Sequence, residues 1–163
     1  MMIDLMRNIL IFLLFFSDLT KADISAKVIS VIDGDTIYVR DYDNKTHKIR
    51  LAGIDAPEMS QPYGKESRSH LLELIYGKEV FIEAKKNDRY GRIIGTAFHK
   101  GIDVNLVQVK EGMAWWYEYY KDQQSPEDQR LYSTAHDRAK KDKVGLWEDP
   151  LAINPYKWRK SKK

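Results

Sequence analysis

Ala26-Lys27-Val28-Ile29-Ser30-Val31-Ile32-Asp33-Gly34-Asp35-Thr36-Ile37-Tyr38-Val39-Arg40 is the stretch that decides the fold. Two β-branched runs, Ala26 to Ile32 and Thr36 to Arg40, flank Asp33-Gly34-Asp35, a composition that reverses a chain tightly between antiparallel strands. A third run, His47 to Ile54, follows the polar turn Asp41-Tyr42-Asp43-Asn44. Three strands joined by short turns predict a meander. Ala56-Pro57 ends the third, because proline cannot donate to a ladder and restricts the residue before it.

Outward from the meander, Lys65 to Tyr76 reads as a helix with Leu71, Leu72 and Ile75 on one side and Gly77 as its stop. Val80, Ile82 and Ala84 alternate with Phe81 and Glu83 as a fourth strand, and Arg92 to His99 reads as a fifth. Asp103 caps a short helix running to Glu111. Ser125-Pro126-Glu127-Asp128 combines a cap, a proline at the first helical position and early acids, so a longer helix starts there. Leu131, Ala135 and Ala139 are expected to be its buried stripe. Strand-strand-strand-helix-strand-strand is the order of an OB-fold. The fold class expected is therefore α+β, mainly β: a five-stranded OB-fold Greek-key barrel with about three helices. Fold order alone assigns no function.

The 163 residues make room for one such domain, and a hydrophobic fraction of 43% is enough for a core. Lys and Arg number 27 against 24 Asp and Glu, a net charge of +3 that permits a nucleic-acid partner without arguing for one. The absence of cysteine excludes disulfides, thiolate zinc centres and cysteine nucleophiles. Residues 1–22 have the pattern of a secretory signal peptide. Arg7 precedes the apolar run Ile9 to Phe16, and Thr20-Lys21-Ala22 places small residues for cleavage after Ala22. That run is shorter than the ~20 residues that span a bilayer. The expected organisation is a signal peptide over 1–22, the barrel domain over 23–148 and a basic tail over 149–163. Export follows, into a periplasm or the medium. The finish from Arg159 to Lys163 reads as a solvated C-terminus, with contact to a phosphate backbone as the alternative.

Chemistry gathers at one end of the meander. In antiparallel pairing the start of strand two lies beside the end of strand three, which makes Asp35 and Asp55 neighbours. By alternation, Asp35 shares a face with Ile37 and Val39, and Asp55 with Ile49 and Leu51. Two inward carboxylates repel unless a cation or a proton joins them. The cation that suits them is hard and oxygen-loving, Ca²⁺ or Mg²⁺. Asp33 is explained as a turn former, and Asp55 alone reads equally as a cap beside Pro57. Glu58 follows on a loop where a carboxylate can act as a general base. Arg50 and Arg92 supply planar forks suited to phosphate oxygens, although each singly also reads as a surface ion-pair partner. A metal pair, a base and two phosphate forks are what phosphodiester hydrolysis requires. The four histidines fit no metal spacing.

Val31-Ile32-Asp33-Gly34-Asp35-Thr36, Arg50-Leu51-Ala52-Gly53-Ile54-Asp55-Ala56-Pro57-Glu58 and Asp88-Arg89-Tyr90-Gly91-Arg92 closely resemble the staphylococcal nuclease (thermonuclease) family. Glu111-Gly112-Met113-Ala114-Trp115 and Gly145-Leu146-Trp147 are similar to its later landmarks, in consistent order over residues 26–148. The resemblance implies a calcium-dependent endonuclease acting on DNA or RNA as a monomer and leaving 3′-phosphates. It assigns Asp35 and Asp55, with the carbonyl of Ala56, to the cation, Ca²⁺ before Mg²⁺. Glu58 falls at the general base, and Arg50 and Arg92 at the phosphate-contacting arginines. Arg89, Tyr90 and Tyr120 fall at nucleotide contacts, with Tyr117 and Tyr119 as alternatives to Tyr120. Two departures stand out: Ala56 where some members carry Thr, and a short loop, Met59 to Pro62, after Glu58. The competing reading is a catalytically silent OB-fold module that binds nucleic acid.

Overall fold

The computed structural model describes residues 22–162. All but the last residue of the expected signal peptide therefore lies outside the described residues. Three strands, β1 (Ile24–Asp33), β2 (Thr36–Asp41) and β3 (Thr46–Leu51), form the meander. Then come a two-residue strand β4 (Ile54–Asp55), helix α1 (Gly64–Ile75), β5 (Glu79–Asn87), β6 (Ile93–His99) and the short β7 (Ile102–Asp103). Helix α2 (Val104–Lys110), β8 (Trp115–Trp116), α3 (Pro126–Lys141) and α4 (Pro155–Ser161) complete the order. The main sheet runs β3-β2-β1-β5-β6-β7 and closes through parallel pairing of β3 with β6. Five strands thus make an OB-type barrel, β7 extends its edge, and β4 pairs with β8 as a separate ribbon.

Closure has a direct consequence for the arginines. Parallel register sets Ile49 opposite Ile93, Arg50 opposite Ile94 and Leu51 opposite Gly95. Ile49, Leu51 and Ile93 turn into the core, so Arg50, Ile94 and Arg92 share the other face. The core is filled by Val28, Ile37, Val39, Ile49 and Ile82 from the barrel, with Leu71 and Ile75 of α1 and Val109 of α2 packed against it. Burying each such side chain contributes about 1.5–3 kcal/mol. A register slip of one residue in β3 would expose Ile49 and Leu51 and bury Arg50.

Two expectations are corrected. The third strand does not run through to Ile54: it stops at Leu51, and Gly53, at φ 73°, turns the chain so that Ile54 and Asp55 pair with Trp116 and Trp115 instead. Simple alternation from Ile49 therefore does not carry through to Asp55. Helix α3 begins as its Ser125 cap and Pro126 dictate, with Ser125 Oγ accepting from the Asp128 amide at 3.1 Å. Its buried face is Tyr132, Ala135 and Ala139, whereas Leu131 is exposed. Tyr132 wins that place because its hydroxyl donates to the carboxylate of Asp103, the cap of α2, at 2.8 Å. The expected helices are all present, and α4 is an addition in the segment read as tail.

A second cluster fastens α3 to the β4–β8 ribbon. His136 lies 5.0 Å from the Trp147 ring and 5.7 Å from that of Trp115, and its Nε2 is buried with no hydrogen-bond partner among the described residues. Burial holds the His136 imidazole below the ordinary histidine value, against the smaller opposing pull of Asp137. The unfolded chain, whose histidine titrates at about 6.5, then binds more protons than the native state as pH falls. Stability from this group is complete above that value and is lost as pH drops through the folded pKa. We expect the melting temperature to fall between pH 7.5 and 5.5 by a few degrees more in the wild type than in His136→Phe. Parallel pH profiles of the two proteins by calorimetry would exclude it.

Candidate active site

Asp35 follows Gly34 in the β1–β2 turn, and the carbonyl of Asp35 accepts from the Leu51 amide at 2.8 Å, which ties the turn to the end of β3. Gly34 is there for space. A Cβ on it would overlap Ser67 Oγ of α1 and lie 2.7 Å from the Ala56 Cβ. The close approach lets the Ala56 amide donate to Asp35 Oδ2 at 2.7 Å, and Thr36 Oγ1 donates to Oδ1 at 3.0 Å. Helix α2 holds the same region through two buried amides. Gln108 Nε2 donates to the Gly34 carbonyl at 2.8 Å, and Asn105 Nδ2 donates to the Ala52 carbonyl at 3.0 Å. Buried polar groups satisfied in this way fix loop positions that apolar packing alone leaves free.

The two acids meet as expected. Asp35 is 5% exposed and Asp55 1%. Arg50 joins them, with Nη2 lying 3.1 Å from Asp35 Oδ2 and 3.1 Å from Asp55 Oδ1. Its Nη1 donates to the carbonyls of Leu51 and Ile54, both at 2.8 Å, so the guanidinium also spans the turn at Gly53. Burial raises the Asp55 carboxyl above the ordinary aspartate value, and hydrogen bonding from Arg159 works against that rise. Burial, and then the neighbouring Asp35, raise Asp33 as well. Asp33 also accepts from the Asp35 amide at 3.0 Å, consistent with its turn-forming role, yet its position on the cleft wall makes it a third aspartate of the site.

Glu58 is half-buried on a loop tighter than its sequence suggests. The Gln61 amide donates to the Glu58 carbonyl at 2.8 Å, and the Gly64 amide to the Gln61 carbonyl at 3.0 Å. Gly64 packs directly on the Glu58 backbone, leaving no space for a Cβ. Glu58 lines the same cleft as Asp55. Arg92, 26% exposed at its side chain, is oriented by Asp88, whose Oδ2 accepts from Nε at 2.7 Å. Asp88 also takes the Tyr90 and Arg92 amides, both at 2.9 Å, which closes the β5–β6 turn.

A cleft of about 360 Å³ gathers these groups. Asp35, Arg50, Asp55, Ala56, Glu58, Tyr90, Arg92 and Tyr120 line its wall. Tyr117 lines it too, whereas Tyr119 stacks on Tyr156 at 6.2 Å. Arg89 stands outside the wall, with its guanidinium 4.9 Å from the centre of the exposed Tyr90 ring. Among the described residues no group of three or more His, Cys, Asp or Glu is arranged to hold a metal ion. The donor set nonetheless suits a hard cation: two buried carboxylates, both already gripped by guanidinium charge, beside the Ala56 backbone.

One participant was not foreseen. The tail read as solvated forms α4, and Arg159 on that helix reaches Asp55 and Glu58. The available signal was Asn154-Pro155, a cap followed by a proline at the first helical position. No local pattern reveals where such a helix docks.

The molecule is thus an OB-barrel protein whose buried acids and arginines converge on a cleft at the barrel rim. Residues 48–149 match the family described as staphylococcal nuclease homologue, and the chain belongs to that family. It is 38% identical over 151 residues to a micrococcal nuclease of Shigella flexneri, covering 87% of this chain and 84% of the relative. It is 35% identical over 159 residues to an uncharacterized endonuclease of Haemophilus influenzae, covering 98% and 86%. A staphylococcal-like nuclease, CAN1 of Arabidopsis thaliana, is 38% identical over 120 residues, which is 73% of this chain and 35% of that protein.

Gly34→Ala should force Ser67 or Ala56 to move and cost about 1–3 kcal/mol of stability, read as a lowered urea midpoint at unchanged slope. An unchanged midpoint would show that the turn and α1 are not in the contact described.

Proposed function

We propose that the chain is an exported, Ca²⁺-dependent nuclease that hydrolyses phosphodiester bonds of DNA or RNA and leaves 3′-phosphates. The observation that carries this reading is the convergence of Asp35, Asp55, Glu58, Arg50 and Arg92 on one cleft. Family membership and relatives named as nucleases support it. Export rests on the n-, h- and c-region pattern of residues 1–22.

Asp35 and Asp55, with the carbonyl of Ala56, would hold the cation. When bound, it would supply Lewis-acid polarisation of a phosphate oxygen and make nearby water more acidic. The remaining steps belong to the side chains. Glu58 accepts the proton of the attacking water as its oxygen bonds to phosphorus; the P–O5′ bond opposite breaks, and the leaving 5′ oxygen takes a proton from solvent. Arg92, held by Asp88 through Nε, keeps both terminal nitrogens for phosphate oxygens as their charge grows. Arg50 is more committed, because its nitrogens already serve two carboxylates and two carbonyls. Its contribution is positive potential fixed in place before the reaction, a factor worth about 3–4 kcal/mol for one well-aimed donor. Tyr90 and Tyr120 on the wall, with Arg89 behind Tyr90, offer faces for nucleotide bases.

Purified protein should degrade denatured DNA with Ca²⁺ and stop on chelation, and the fragments should resist 3′-end extension until treated with phosphatase. Degradation unaffected by chelator would refute the metal role. Binding without cleavage under every divalent cation would leave the silent OB-fold module. Glu58→Gln and Arg92→Ala should each lower turnover at least about a hundredfold with the fold retained. Near-wild-type turnover in either variant would remove that residue from the mechanism.

A further inference from the structure

Arg159 lies ten residues beyond the end of the family match, at 149, and belongs to a helix of its own. That helix is started by Asn154, whose Oδ1 accepts from the Tyr156 amide at 2.9 Å, and by Pro155, which is buried. Gln61, on the loop that carries Glu58, donates to the Ile153 carbonyl, and Tyr156 stacks on Tyr119. These few contacts bring the guanidinium into the cleft. Nη1 lies 3.1 Å from Asp55 Oδ1 and 2.8 Å from Glu58 Oε1, and Nη2 lies 3.0 Å from Asp55 Oδ2.

Both oxygens of Asp55 are consequently taken, Oδ1 by Arg50 and Arg159 and Oδ2 by Arg159. A bidentate arginine–carboxylate pair is among the stronger charge-assisted contacts, and at a 1%-exposed carboxylate it is little screened by solvent. Because the helix is tethered, the guanidinium competes at an effective concentration of the order of millimolar, independent of protein concentration. Glu58, the group assigned as base, is neutralised by the same side chain. Arg50 has no comparable freedom, since two backbone carbonyls anchor it.

We propose that Arg159 is a built-in competitor for the divalent cation. The C-terminal helix plugs the cation position with a guanidinium, and a divalent ion must displace it from Asp55 before the site is assembled. This rests on the reading of Asp35 and Asp55 as cation ligands. The helix is short, Tyr156 is exposed, and Arg159 is 38% exposed at its side chain, so displacement disturbs none of the barrel core.

The test is direct cation binding to the purified protein without nucleic acid, by calorimetry with Ca²⁺ and by luminescence of Tb³⁺ sensitised by the nearby aromatic rings. Arg159→Ala should bind at least about tenfold tighter than the wild type, and Arg159→Lys, which keeps the charge but loses the fork, should fall between them. Lys157→Ala removes one positive charge from the same helix without touching the acids, and should leave affinity within about twofold. Equal or weaker binding in Arg159→Ala overturns the proposal while leaving the cation reading intact. Equal tightening in Lys157→Ala also overturns it, because long-range charge then suffices. Absence of binding in every protein, Arg159→Ala included, overturns both readings.

Discussion

Arg50 sits between two carboxylates that water scarcely reaches. Asp35 and Asp55 are almost fully buried at the barrel rim, and the Arg50 guanidinium lies 3.1 Å from each. Without it the acids would face one another across a region of low polarisability, and one of them would hold a proton instead. Removing one partner of such a buried arrangement costs about 3–5 kcal/mol. The guanidinium also closes the turn at Gly53 through two backbone carbonyls, so one side chain sets both the charge and the shape of the site.

The barrel exists to keep that arrangement in register. Parallel closure of β3 on β6 puts Arg50 and Arg92 on one face while Ile49 and Ile93 fill the core. Asn105 and Gln108 of α2 hold the Ala52 and Gly34 carbonyls, which lie next to the loops bearing the acids. The site is therefore mounted on rigid elements and tuned by satisfied buried amides. The short helix α4 adds a further guanidinium to the cleft, that of Arg159.

Much of this was legible in the chain, element by element. Asp33-Gly34-Asp35 marked the hairpin, Ser125-Pro126 started α3, and Asp103 capped α2, all because turns and caps are chosen by neighbours a few residues away. The pairing of Asp35 with Asp55 followed from meander geometry, although β3 is broken at Gly53 and Asp55 is buried by pairing with Trp115. A glycine inside an apolar run was the available sign of that break. Leu131 was misplaced because its apolar character does not say which neighbouring phase of the helix meets a partner, and the hydroxyl of Tyr132 had one in Asp103.

Residue order alone dictates the hairpins, the caps, the alternation that makes a barrel and the acids and arginines available for chemistry. Short-range sterics and hydrogen bonding suffice for those. Folding sets Arg159 against Asp55 across 104 positions, and Gln61 against the Ile153 carbonyl across 92. Such contacts depend on where closed elements leave space and unpaired charge, which no local periodicity encodes.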